Sequence, residues 1–224
     1  MSERFLEGFI VDPAELDKLV GTSKLSAKEI RAKTKKSAVS DADLRLGEGD
    51  AKKGKTRVDK ILAKLASGKL RTSDAPELVG MTTLVLNAYA KSLGSIQVPY
   101  VESHEFGLWN PVFKALDMPE MAKDYGVASL TFPFKKSPDV EWPITTLVEG
   151  ASLAAWNNEL STDWQSKLHG LSGKLFTDKK HAVVAARVAD TKTELEHALG
   201  RLKNWVSTTL EAELALALIL GGDR

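Results

Sequence analysis

The fold class follows from residues 191–220, which read TKTELEHALGRLKNWVSTTLEAELALALIL. Apolar residues recur every three or four positions from 191 to about 210, which predicts one long amphipathic helix. Its inner stripe consists of Leu195, Ala198, Leu199, Leu202, Trp205, Val206 and Leu210. The apolar run 214–220 is short for a helix, so we interpret it as a buried strand, although its Ala-Leu alternation could also continue the helix.

Helix starts recur along the rest of the chain. All but the last combine a capping Asp, Ser or Asn with a following Pro or Glu, and they lie at Asp12, Ser26, Asp74, Asn110, Asp117 and Ser161. Residues 57–66 place Val58, Ile61, Leu62 and Leu65 on one helical face. Short extended pieces are predicted at 9–11 and 96–98, without a sustained β-α-β alternation. The sequence therefore predicts an α+β fold, a mostly helical single domain with a small sheet.

Composition sets the class of protein. The chain has 224 residues, 43% of them hydrophobic and 27% charged, which is typical of a globular protein with a sizeable core. It has no cysteine, which excludes disulfides, thiolate metal sites and a cysteine nucleophile. The longest apolar run is too short to span a bilayer, and the first residues do not resemble a secretory signal. We expect a soluble, cytoplasmic protein that does not bind membranes.

Charge is distributed unevenly. Residues 24–71, which begin at Lys24 and end at Arg71, hold fifteen Lys and Arg against six Asp and Glu, a net charge of +9 that leaves −8 on the remainder. We call them the basic region. Such asymmetry indicates a surface for an oppositely charged partner, or two regions that face each other or are simply solvated. We predict a basic, helical N-terminal region over 1–72, with a mobile loop near 37–56, and an α+β main body over 73–224.

The densest group of ionisable ligands lies in the segment YVESHE, residues 100–105. Glu102, His104 and Glu105 could hold a cation or supply a catalytic base and the carboxylate that orients it. The HExxH zinc motif is not met, because Leu108 stands where its second histidine belongs. These residues are weak metal candidates, and a surface loop with a hydrogen-bonded histidine is the alternative.

A second motif matches a phosphate-binding loop. Residues 49–56 read GDAKKGKT, so Gly49, Gly54, Lys55 and Thr56 fit the pattern GxxxxGK[ST]. Such a loop normally follows a buried hydrophobic strand, whereas the residues before Gly49 are polar. The match is therefore either a nucleotide site or the chance composition of a segment rich in Lys and Gly. We expect no cofactor.

Two kinds of macromolecular partner fit the sequence. Asp139, Glu141 and Trp142 lie between two prolines, in a rigid acidic loop that could present an aromatic anchor to a protein. The alternative is that Trp142 fills the core of its own domain. The basic region could contact nucleic-acid phosphates in a salt-sensitive way, but it contains no aromatic residue for stacking on bases.

The middle of the chain also carries a family resemblance. Residues 78–147 begin with a helix that ends in Leu93-Gly94, followed by a short strand with proline at 96–99. A helical segment punctuated by Leu116-Asp117 and Gly126 comes next, and a proline-bounded loop at 132–145 follows it. This pattern resembles a bacterial family known only as a domain of unknown function, as does the Trp-bearing helix that leads into an apolar strand at 214–220. The resemblance covers about a third to a half of the chain and none of the basic region. It implies an α+β fold without an established activity.

The dispersed reactive side chains favour recognition over catalysis. We predict a non-catalytic protein-interaction module, immunity- or antitoxin-like, that binds a protein partner through Asp139, Glu141 and Trp142. The alternatives are a metal- or nucleotide-dependent enzyme that uses Glu102, His104 and Glu105 or the segment 49–56, and a nucleic-acid-binding protein that uses the basic region.

Overall fold

The computed structural model of the chain describes residues 4–98, 109–125, 132, 144–173 and 188–221. These residues form ten α-helices and one small sheet of four strands, which confirms the predicted mostly helical α+β class. The helices are α1 Pro13–Asp17, α2 Ala27–Lys33, α3 Lys36–Leu46, α4 Ala51–Ala66, α5 Ala75–Tyr89, α6 Trp109–Ala115, α7 Pro119–Asp124, α8 Gly150–Leu160, α9 Trp164–Gly170 and α10 Val188–Glu211. The strands are β1 Arg4–Val11, β2 Lys91–Val98, β3 Ile144–Val148 and β4 Ala215–Gly221.

Capping side chains fix several of the helix ends. The Asp12 carboxylate accepts hydrogen bonds from the backbone N–H groups of Ala14 and Glu15, at 3.0 and 3.1 Å, and so begins α1 where the sequence predicts it. Ser26 begins α2 in the same way. The cap of α7 comes from another helix, because the Glu159 carboxylate on α8 accepts from the first two amides of α7 at 2.8 and 3.0 Å. These bonds satisfy amides that have no partner inside their own helix.

The sheet has the strand order β2-β1-β4-β3. β4 is the buried apolar strand predicted at 214–220, and all six residues from Ala215 to Leu220 are buried. β3 pairs with it antiparallel, so that Ile144 lies opposite Leu220 and Val148 opposite Leu216. The sequence prediction did not include β3 or α8.

The described residues divide by their contacts into two compact units. The first contains 4–8, 93–98, 109–125, 144–173 and 188–221, and the second contains 9–92 and 132. The chain passes between them inside β1, after residue 8, and inside β2, after residue 92. Because compact units need not fold independently, the predicted division between residues 72 and 73 stays a prediction.

In the first unit, one hydrophobic core joins the sheet to helices α6–α10. The predicted inner face of α10 lies in this core, including Trp205, which is 5% exposed. Gly8 on β1 gives the indole its space, since a Cβ added there would lie 2.5 Å from Trp205 Cε3. A side chain at residue 8 would therefore push Trp205 away from the strand.

In the second unit, α4 packs against α2, α3 and α5. Its predicted stripe of Val58, Ile61, Leu62 and Leu65 is buried, as expected. The predicted loop near 37–56 is wrong, because most of this segment is helical: α3 occupies 36–46 and α4 begins at 51. No helix in the described part of the chain is both long and apolar enough to cross a bilayer.

Candidate interaction surface

Most residues of the predicted sites lie outside the described part of the chain. These are the predicted partner-binding residues and the weak metal candidates, namely Asp139, Glu141, Trp142, Glu102, His104 and Glu105. Within the residues that are described, no group of three or more His, Asp or Glu side chains is arranged to hold a metal ion. The segments that the structure does place are 49–56 and the basic region.

The segment 49–56 does not form a phosphate-binding loop. Asp50 is the N-cap of α4, and its carboxylate accepts from the backbone N–H groups of Lys52 and Lys53 at 2.9 and 3.0 Å. The N–H of Gly54 donates to the Asp50 carbonyl at 2.9 Å, as in an ordinary helix. The amides that would surround a phosphate are therefore occupied. Lys55 and Thr56 lie on the exposed surface of the helix.

Gly54 in this segment and Gly47 just before it have a packing role instead. A Cβ on Gly54 would lie 1.6 Å from the carbonyl oxygen of Asp43, and one on Gly47 would lie 1.9 Å from that of Asp50. Both glycines thus allow the backbones of α3 and α4 to approach closely where the chain turns from one helix to the other. Sequence reasoning noticed these glycines but assigned them to a loop.

One cation of the basic region, Arg31, links three helices through hydrogen bonds. The Arg31 guanidinium donates two hydrogen bonds of 2.9 Å to the Asp43 carboxylate and one of 3.0 Å to Asp59. It thereby ties α2 to α3 and α4. The hydrogen bond with Asp43 is the main reason why the pKa of Arg31 is raised above its ordinary value.

The other cations of the basic region are mostly exposed. We call this set the basic surface; its members are Lys24, Lys28, Lys33, Lys35, Lys36, Lys52, Lys53, Lys55, Lys60, Lys64, Lys69 and Arg71. Eight of these lysines make neither an ion pair nor a cation–π contact with any residue that the structure describes: Lys24, Lys28, Lys35, Lys36, Lys52, Lys55, Lys60 and Lys69. Their charge is available to a partner.

The exposed face of α3 carries an apolar residue, Leu44, in line with a lysine of the basic surface. Lys36, Ser40 and Leu44 follow one another at four-residue spacing, and all three are exposed. Leu44 is 42% exposed, one of two large hydrophobic residues with this property in the described chain. Sequence reasoning missed Leu44 because it treated 37–56 as a loop. Helical spacing from Lys36 onward was the signal that could have identified it.

Comparison with known proteins does not assign this chain to a family. No family model matches the chain, and no curated protein or solved structure matches it. The resemblance of residues 78–147 to a bacterial family of unknown function therefore stays a prediction.

Proposed function

We propose that this chain is a non-catalytic protein-interaction module that binds an acidic protein through the basic surface. The observation that carries the proposal is the set of eight exposed lysines without an ion pair or a cation–π contact to a described residue. Such a concentration of charge accelerates association with an acidic surface and selects against basic partners. In its narrowest form the proposal is an immunity- or antitoxin-like protein, which acts by covering a toxin.

Two features of the basic region support a protein partner over a nucleic acid. Leu44 offers an apolar contact of the kind that protein interfaces use. The region also lacks aromatic residues on which single-stranded bases could stack.

The predicted loop with Asp139, Glu141 and Trp142 is kept as a second contact, in which the indole serves as an anchor. The alternative of an enzyme that uses Glu102, His104 and Glu105 predicts that a divalent metal ion raises the melting temperature. At a hundred times its dissociation constant, a ligand adds about 2.7 kcal/mol to the free energy of unfolding.

Affinity capture from a nuclease-treated lysate of the source organism tests the proposal. The wild-type bait is compared with K36E/K55E/K60E, which reverses three exposed charges of the basic surface. The matched control, K91E/K114E/R201E, reverses three exposed charges outside it. A W142A bait tests the loop.

We expect one protein to be retained by the wild type and by the control, lost from K36E/K55E/K60E, and eluted by salt. Equal recovery on both triple variants would refute the role of the basic surface. Recovery that depends on omitting the nuclease would identify nucleic acid as the partner instead.

A further inference from the structure

Four cations of the basic region share one flank of α4. These cations are Lys53, Arg57, Lys60 and Lys64, at spacings of four, three and four residues. The spacing places them in one row beside the buried apolar residues of the helix. We call this row the α4 stripe. At about 1.5 Å per residue it is about 16 Å long. The side chains of Lys53, Arg57 and Lys64 are 50%, 38% and 47% exposed.

Two carboxylates of the chain already lie on the α4 stripe. Near its N-terminal end, Glu48 accepts a hydrogen bond of 3.1 Å from Arg57 Nη1 and lies 3.7 Å from Lys53 Nζ. Toward its C-terminal end, Asp74 Oδ1 lies 2.6 Å from Lys64 Nζ. Among the described residues, Lys60 between them has no ion pair. Carboxylates therefore fit this row of cations.

The two carboxylates differ in how firmly they are held. The side chain of Asp74 is 11% exposed and also accepts a hydrogen bond from the backbone N–H of Arg71 at 3.1 Å. The side chain of Glu48 is 71% exposed, and among the residues that the structure describes it bonds only with Arg57 and Lys53. Glu48 can therefore leave the stripe without disturbing the fold, whereas Asp74 stays in place.

Arg57, near the centre of the stripe, is held in position by a second hydrogen bond. Arg57 Nη1 donates a hydrogen bond of 2.8 Å to the carbonyl oxygen of Leu46 as well as to Glu48. This second bond keeps the guanidinium in position when Glu48 moves away. A preorganised guanidinium loses little side-chain entropy when it binds another carboxylate.

We propose that the α4 stripe is the part of the basic region that binds the partner's carboxylates, and that Glu48 competes with them for Lys53 and Arg57. This inference rests on the proposed function and specifies its contact. The partner then carries carboxylates along one face over about 16 Å, with one of them reaching Lys60.

Fluorescence anisotropy with labelled poly-L-glutamate tests the competition directly. E48Q removes the competing carboxylate. The matched control is E15Q, because Glu15 is 64% exposed and pairs with Lys18 on α1, so that E15Q removes the same charge and also one exposed ion pair. We expect E48Q to bind the probe about two- to fivefold more tightly than wild type, the size of one exposed ion pair, and E15Q to differ little from wild type.

The central lysine provides a second test. K60Q should weaken binding of the probe about two- to fivefold, and more than K28Q, which removes an exposed lysine from α2. Equal effects of E48Q and E15Q, or of K60Q and K28Q, would overturn the inference. Tighter binding of labelled oligothymidylate than of poly-L-glutamate at equal chain charge would overturn the choice of carboxylates.

These outcomes are distinct from those of the proposed function. The anisotropy results do not depend on which protein a lysate supplies. A chain that captures no protein but shows the E48Q and K60Q effects would refute the proposed function and retain a carboxylate-binding stripe. Capture of a protein whose binding is unaffected by K60Q would leave the proposed function intact and refute the stripe.

Discussion

Replacing Gly54 by alanine should destabilise the protein, although alanine is the better helix former. A Cβ at this position would lie 1.6 Å from the Asp43 carbonyl oxygen, so α3 and α4 would have to move apart by about 1.8 Å to reach a 3.4 Å contact. Strain of this kind costs about 1–3 kcal/mol. The movement also disturbs the Arg31–Asp43 pair, whose charged hydrogen bonds contribute about 1.5–3 kcal/mol each. The higher helix propensity of alanine offsets only about 1 kcal/mol of these costs. We therefore expect the free energy of unfolding to fall by about 2 kcal/mol.

Gly200 provides the matched control for this experiment. It lies inside α10, and a Cβ added there meets no atom within 4 Å. G200A should therefore raise the free energy of unfolding by about 0.5–1 kcal/mol. Urea unfolding followed by far-ultraviolet circular dichroism measures both variants. If G54A unfolded at the wild-type urea midpoint or above it, the close approach of α3 and α4 would be wrong and the phosphate-loop interpretation of Gly54 would reopen.

Three further predictions concern pH, capping and nucleotides. Burial raises the pKa of Tyr125 above its ordinary value of 10.0, so above pH 10 the unfolded chain loses this proton first and stability falls by about 1.4 kcal/mol per pH unit. Y125F should escape this fall in urea unfolding at pH 10–11, and an equal slope in both proteins would contradict it. E159A should lower the free energy of unfolding by about 1–3 kcal/mol because it removes the cap of α7. E149A, at an exposed position, should lower it little in the same urea assay. Mg-ATP should not raise the melting temperature, and a shift that Lys55→Ala abolished would contradict our account of the segment 49–56.

Sequence reasoning was most successful where an element's apolar pattern matches its burial. α10 and β4 show this: Leu199 and Trp205 lie on the predicted inner face, and the run from Ala215 to Leu220 lies in the strand predicted at 214–220. Caps worked for a similar reason, since Asp12 and its amide partners are only two or three residues apart. Local signals suffice when the interaction itself is local.

α3 could not be predicted in this way. Its sequence, KSAVSDADLRL, is rich in Ser and Asp, which favour turns over helix interiors. Its helix is held by tertiary contacts, namely the close approach at Gly54 and the hydrogen bonds from Arg31 to Asp43. The candidate interaction surface depends on this helix, so Leu44 could not be placed before it. The α4 stripe could have been read from spacing alone, but its pairing with Glu48 depends on the turn between the two helices.

The central pairing of β1 with β4 has a consequence for synthesis on the ribosome. β1 ends at Val11 and β4 begins at Ala215, so two hydrogen-bonded neighbours are separated by about two hundred residues. Until β4 has emerged from the exit tunnel, β1 lacks one of its two neighbours, and its open edge is exposed to other nascent chains. The helices of residues 9–92 make shorter-range contacts and can assemble while translation continues. Completion of the sheet therefore has to wait until nearly all of the chain described here has been translated.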